Sequence, residues 1–376
     1  MPDEETLIVA RYGEIALKGR NRPRFVRQVR RNMSAALAAE GVPGEVRLEG
    51  RRIYALTPHP EAALGALARV FGVTSLSPAV RVPADLEAIK RTALEQLILS
   101  GVSPDRTLRV AARRSYKGFP LTSPQINREV GEFLVQQTGA GVDLSDEADL
   151  TVGVEVHQDH ALVYARVVPG AGGLPIPLSG RVVALMSAGL DSPVAAWMMM
   201  KRGCAVIPLH FAGVAETMEE RFRRLCGQLQ KWSQSWRLQP VIRSHAEALK
   251  GAAERLRVCR EERWTCLFCK RAMVAEAEKV AREHGAQGIV LGDSLGQVAS
   301  QTLENMRVIS AGASLPIFRP LIGLDKVEIM ALARRIGTYD LSAQAAPVCP
   351  YLPDRPLTQA SYDKFLALRP QIEVDR

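Results

Sequence analysis

Residues 182–203, VVALMSAGLDSPVAAWMMMKRG, limit what this chain can fold into more than any other stretch. The apolar run Val182–Met186 predicts a fully buried strand. Ser187, Ala188, Gly189, Leu190, Asp191 and Ser192 break it with small and polar residues. Pro193 suits the first turn of a helix, where its missing N–H would have no partner. That helix is predicted to stop at Gly203, after Lys201 and Arg202. A strand, a tight small-residue loop and a helix N-terminus in this order present several backbone N–H groups to an anion. No Walker spacing, G-x-x-x-x-G-K-[ST], occurs here. Taken alone, the stretch is also compatible with an ordinary strand–turn–helix junction.

The pattern continues downstream. CAVIPLHF leads to ETMEERFRRLCGQLQKW, PVIRS leads to a helix beginning near Glu247, and CKRAMVAEAEKVAREHG precedes the apolar GIVLGD. Strands alternating with helices call for an open, doubly wound parallel sheet covered on both faces. Ligands bind such sheets at the C-terminal ends of the strands, where the Ser187–Ser192 loop sits.

The first half reads differently. A strand, an arginine-rich helix over NRPRFVRQVRRNMSAALAAEG, two strands around Gly50 and a second helix suggest a small ferredoxin-like α+β domain. The net charge of +9 favours a polyanionic partner, and its distribution sharpens this. Residues 11–31 hold eight Arg or Lys against one Glu, and 106–128 hold six with no acid; 129–160 hold eight acids and no Arg or Lys. Such segregation suits a surface that holds a phosphate backbone, although a charged helix face can simply be solvated. Arg22 and Arg24, then Arg113, Arg114 and Lys117, are the candidate contacts. Tyr116 and Phe119 are expected to be exposed beside them and to stack on unpaired bases. The 376 residues suffice for two or three domains. The N-terminus shows no signal-peptide pattern and no apolar run approaches a membrane span, so a cytoplasmic location is expected.

Several motifs resemble known families. The 187–192 loop resembles the S-G-G-x-D-S loop of ATP pyrophosphatases, with Ala188 standing where that pattern has its first glycine. AARRSYKGFPLTSPQINREVG strongly resembles the THUMP domain, an RNA-binding module of tRNA-modifying enzymes. RYGEIALKGRNRPRF, GDSLGQVASQTLENM and RPLIGLDKVEIMALARRIGTYD resemble the tRNA 4-thiouridine synthetase family, so the likeness covers nearly the whole chain. It implies a ferredoxin-like domain at 1–76, THUMP at 77–169, a Gly/Pro-rich linker at 170–180 and a catalytic domain at 181–376. It also implies the reaction: a tRNA uridine, usually position 8, is adenylated at O4 by ATP, and sulfur replaces that oxygen. Residue by residue, Leu185, Met186, Ser187, Gly189, Ser192, His210, Phe211, Lys270, Gly292 and Gln301 are expected at the ATP site. Asp191 is expected to steer Mg²⁺. Positive charge for the phosphates is expected from Lys270 or Arg271. A homodimer is expected by resemblance only.

The six cysteines fall in the second half, which in a cytosolic chain suggests metal or sulfur chemistry before disulfides. Cys349, in PVCPYLPDRPLT, matches the family's catalytic cysteine. No rhodanese domain, which carries a persulfide in many members, is expected. Cys266 and Cys269 form a C-x-x-C absent from many members. With Cys349 they resemble the branch in which three cysteines hold a [4Fe–4S] cluster. A Cys349 persulfide resolved by Cys266 or Cys269 is the competing expectation. The sulfur donor would be sulfide or a cysteine desulfurase persulfide. Two rival readings keep less of this reaction: adenylation of a small molecule, which leaves the RNA-binding half unexplained, and a non-catalytic RNA-binding protein.

Overall fold

The computed structural model describes residues 5–50, 52–213, 216–343, 349 and 351–373. These divide into two units, Met1–Gly173 and Leu174–Arg376.

In the first unit the strands are β1 (Thr6–Tyr12), β2 (Glu45–Glu49), β3 (Arg52–Thr57), β4 (Val73–Pro83), β5 (Thr107–Arg114), β6 (Gly141–Val142), β7 (Leu150–Val156), β8 (His160–Tyr164) and β9 (Val168–Pro169). The helices are α1 (Arg22–Ala39), α2 (Pro60–Leu67), α3 (Leu86–Leu99) and α4 (Ser123–Thr138). The strands form one sheet in the order β2-β3-β1-β4-β8-β7-β5-β6, with β9 on β4. The expected border at 76/77 falls inside β4, whose Val73–Ala79 half pairs with β1 and whose Val80–Pro83 half pairs with β8. A buried carboxylate joins the two halves. Glu155 of β7 accepts from Arg11 Nε of β1 at 3.1 Å and from Arg52 Nη2 of β3 at 2.6 Å. Helix α4 begins with a capping box between Thr122 and Gln125, which satisfies two N-terminal donors reciprocally.

The expectation for Phe119 is corrected here. Its ring is 8% exposed and packs with Ile89, Ile126, Val130 and Val156 in the core under β5. The apolar ring gains more from that core than from water. Arg114 Nη1, donating to the carbonyls of Lys117 and Phe119, braces the loop in this inward position. Tyr116 is the aromatic of this loop that faces solvent, at 40% exposure.

In the second unit the strands are β10 (Arg181–Leu185), β11 (Ala205–Ala212), β12 (Val241–Ser244), β13 (Ile289–Val290) and β14 (Ile317–Phe318). The helices are α5 (Asp191–Lys201), α6 (Glu216–Gln230), α7 (His245–Val258), α8 (Thr265–His284), α9 (Leu303–Ser310), α10 (Lys326–Ile336), α11 (Tyr339–Ser342) and α12 (Tyr362–Ile372). The sheet is parallel throughout, in the order β12-β11-β10-β13-β14. Chain order reverses between β10 and β13, so the crevice for a ligand opens above the end of β10. Helix α5 ends as its sequence requires: Gly203 takes φ 84°, a left-handed turn open to glycine at no steric cost.

Candidate active site

A cavity of about 400 Å³ opens at that reversal point. The ends of β10, β11 and β13 and the start of α5 supply its walls. All ten residues expected at an ATP site line it, together with Asp191 and Cys349.

The loop between β10 and α5 is held by two serines. Ser187 N–H donates to Ser192 Oγ at 3.0 Å, and Gly189 N–H donates to Ser187 Oγ at 3.2 Å. Both amides are therefore already turned toward hydroxyl oxygens, which an anion's oxygens can replace. Ala188 is fully buried, and the non-glycine residue with positive φ among the described residues is Arg260, so alanine fits here without backbone strain. Gly292 allows β13 to reach the loop. A Cβ there would lie 2.9 Å from Ser192 Cα and 3.0 Å from Ser192 N, which are backbone atoms with little room to move.

His210 and Gln301 form the deeper wall. His210 Nδ1 meets the Met186 carbonyl at 2.9 Å, and its ring stacks on Phe222. Burial holds this histidine below its usual pKa and so neutral, with Nδ1–H donating to the carbonyl. His210 Nε2 and Gln301 Oε1 are buried without a partner among the described residues. Unsatisfied acceptors beside a cavity suit an occupant carrying donors, such as a nucleoside.

Charged side chains converge beside the 187–192 loop. Asp191 accepts from Lys326 Nζ at 2.7 Å and from Gln297 Nε2 at 2.8 Å. Asp293 accepts from Lys270 Nζ at 2.9 Å and from Arg319 Nε at 3.1 Å. Burial raises the Asp293 carboxyl, but Lys270 and Arg319 outweigh it and hold the group below the usual carboxylate range. Helix phase separates Lys270 from Arg271. Lys270 faces the cavity, whereas Arg271 turns inward to Glu373 and to the carbonyls of Val308 and Ala311. Sequence reasoning missed Gln297, Arg319, Lys326 and His245. Asp293 was visible in its motif but had no stated role.

Three thiols lie close to one another, one of them in the cavity wall. Cys266 and Cys269 lie one turn apart at the start of α8, and Cys349 lines the cavity. Residues 347, 348 and 350 of that motif lie outside the described residues. Burial, reinforced by Cys349 and then Cys266, pushes the Cys269 thiol up to about 12. Burial and Cys349 also raise Cys266. His245 Nε2 touches Cys269 Sγ at 3.1 Å. Among the described residues no three His, Cys, Asp or Glu side chains converge as ligands of a single metal ion. A four-iron cluster instead spreads its ligands over a cube, and three neighbouring thiols fit that donor set. Cys204 and Cys226 are buried elsewhere.

In the first unit, Arg22, Arg113 and Arg114 line a polar cavity of about 890 Å³ with Arg52, His157 and His160. Arg24 and Lys117 are exposed outside it.

Residues 7–77 match the ThiI ferredoxin-like domain, 83–166 the THUMP domain, and 178–374 the family described as thiamine biosynthesis protein (ThiI). A probable tRNA sulfurtransferase of Thermococcus kodakarensis is 42% identical over 369 residues, covering 96% of this chain and 95% of that protein. One from Moorella thermoacetica is 40% identical over 375 residues, covering 98% and 94%. A solved 4-thiouridine synthetase–RNA complex with bound ATP matches with a TM-score of 0.83 and 30% identity, covering 98% of this chain and 95% of that one. With the three domains in one order and full-length relatives this similar, the chain belongs to the ThiI family of tRNA sulfurtransferases.

Proposed function

We propose that this chain is a cytoplasmic, ATP-dependent tRNA sulfurtransferase that makes 4-thiouridine, at position 8 by family resemblance. The observation that carries the reading is that the phosphate loop and Cys349 line one cavity. Activation needs the uracil O4 and sulfur transfer the C4 that bears it, so both must reach one carbonyl.

The uracil O4 attacks the α-phosphorus of ATP, and pyrophosphate leaves. The Ser187 and Gly189 amides and the α5 N-terminus receive the departing phosphates. Lys270 and Lys326 leave their carboxylates to balance the charge. Asp191 is a carboxylate suited to steering Mg²⁺, which needs few protein ligands when phosphates supply the rest. A sulfur nucleophile then adds at C4, and AMP departs with the original oxygen. A [4Fe–4S] cluster held by Cys266, Cys269 and Cys349 would supply an iron with an open position for a sulfur ligand. A Cys349 persulfide resolved by one α8 thiol is the second reading, supported by Cys349 lying near enough to Cys266 and Cys269 to raise both thiols. The arginines of the first unit hold the tRNA.

Pyrophosphate release from ATP, measured with and without tRNA, tests this. Release that depends on tRNA and accompanies 4-thiouridine is expected. Release indifferent to tRNA would point to a small-molecule substrate, and no release to a binding protein.

A further inference from the structure

His245 opens α7, directly after its N-cap Ser244, at the end of β12. It is 8% exposed and lines the nucleotide cavity. Its Nε2 lies 3.1 Å from Cys269 Sγ on α8. Its ring meets Tyr351 edge-on, with centroids 5.8 Å apart, and Tyr351 is two residues beyond Cys349. One side chain therefore touches both thiol-bearing segments while facing the space where the uracil must react. Among the described residues, the other polar contact of the Cys269 sulfur is the Met273 thioether at 3.9 Å, a weak acceptor.

We propose that His245 is a positioning residue for sulfur transfer: through Nε2 it fixes the Cys269 sulfur, and through Tyr351 it ties α8 to the Cys349 segment. The inference rests on the sulfurtransferase reading but not on either sulfur chemistry. A ligand thiolate and a resolving thiolate both gain from an N–H donor that sets their direction. Partners that orient ligands in this way commonly change affinity or activity by about 10- to 100-fold. A plain packing role predicts otherwise, since an isosteric ring would then serve as well.

The test uses the full-length protein, reconstituted anaerobically with ferrous iron and sulfide. H245F keeps a ring and loses the donor; H245Q loses the ring and keeps an N–H. H245F is expected to lower the midpoint potential of the bound iron and to reduce thiolation kcat about tenfold or more. The KM for ATP should stay within about twofold of wild type, because Nε2 faces sulfur and not phosphate. H245Q should recover most of the loss. In iron-free protein, alkylation of Cys269 by iodoacetamide, located by mass spectrometry, should slow in H245F and recover in H245Q. Unchanged kcat and unchanged alkylation in H245F overturn the proposal. A wild type that thiolates without iron removes the cluster alone, and the kcat and alkylation readings still decide. A wild type that never thiolates removes the functional reading, while alkylation still reports whether His245 holds Cys269.

Discussion

Lys326 Nζ donates to the Asp191 carboxylate at 2.7 Å, so the first residue of α10 is joined to the first residue of α5 across 135 positions of sequence. The lysine side chain is 47% exposed, and an ion pair of this kind contributes little to stability. On the proposed reaction, it places a cation where phosphate charge develops. Lys326→Ala and Asp191→Ala should each reduce tRNA-dependent pyrophosphate release at least 100-fold, the scale of losing one preorganised electrostatic group. Both should shift the melting temperature by only a few degrees and leave tRNA affinity within about threefold. Filter binding alongside the release assay checks this; a parallel loss of tRNA binding would contradict it.

Asp293 gives a pH prediction. Its folded-state pKa lies below that of an unfolded carboxyl because Lys270 and Arg319 flank it. Its contribution is therefore present above about pH 4 and is lost as pH falls through the lower folded value. Asp293→Asn should destabilise the protein by about 3 kcal/mol at pH 7, the low end for a broken buried pair because Lys270 can turn to solvent. The deficit relative to wild type should shrink on acidification below pH 4. Thermal melts from pH 3 to 7 read both, and a deficit independent of pH would mean that the carboxylate charge is not what counts.

The two aromatics of the 116–119 loop should behave oppositely. Phe119→Ala should cost about 3–5 kcal/mol of stability, as for other large buried side chains. Tyr116→Ala should leave stability nearly unchanged and weaken tRNA binding by about 1–3 kcal/mol, the range for one stacked base. Arg22→Glu and Arg113→Glu should each lower the log–log salt slope of tRNA binding by ~0.7–0.9 for every phosphate that the arginine neutralises. Salt titrations of the folded variants distinguish the outcomes.

Anaerobically prepared protein should be brown with about four irons per chain if the three thiols hold a cluster. Cys266→Ala, Cys269→Ala and Cys349→Ala should each remove most of the iron. Cys204→Ala and Cys226→Ala should not. Iron-free protein that thiolates tRNA at full rate would leave the persulfide chemistry standing alone.

Much of this molecule was legible in the chain. The alternation of apolar runs with helical periods calls for the parallel sheet, and an apolar strand followed by small residues and Pro193 places the phosphate loop at a helix start. Gly203 is equally local, because a helix end is settled by the few residues that satisfy its free N–H and C=O groups. What tertiary structure decided are the matters of phase and partner. Lys270 and Arg271 are adjacent, yet a residue step of about 100° sends one to the cavity and the other to Glu373. Phe119 reads as a stacking platform until the core beneath β5 receives it. Arg319, Lys326 and His245 gain their partners only when strand order brings Asp293, Asp191 and Cys269 beside them. Local energies fix where elements begin and end; which side chains then meet depends on long-range packing, which no short window of sequence contains.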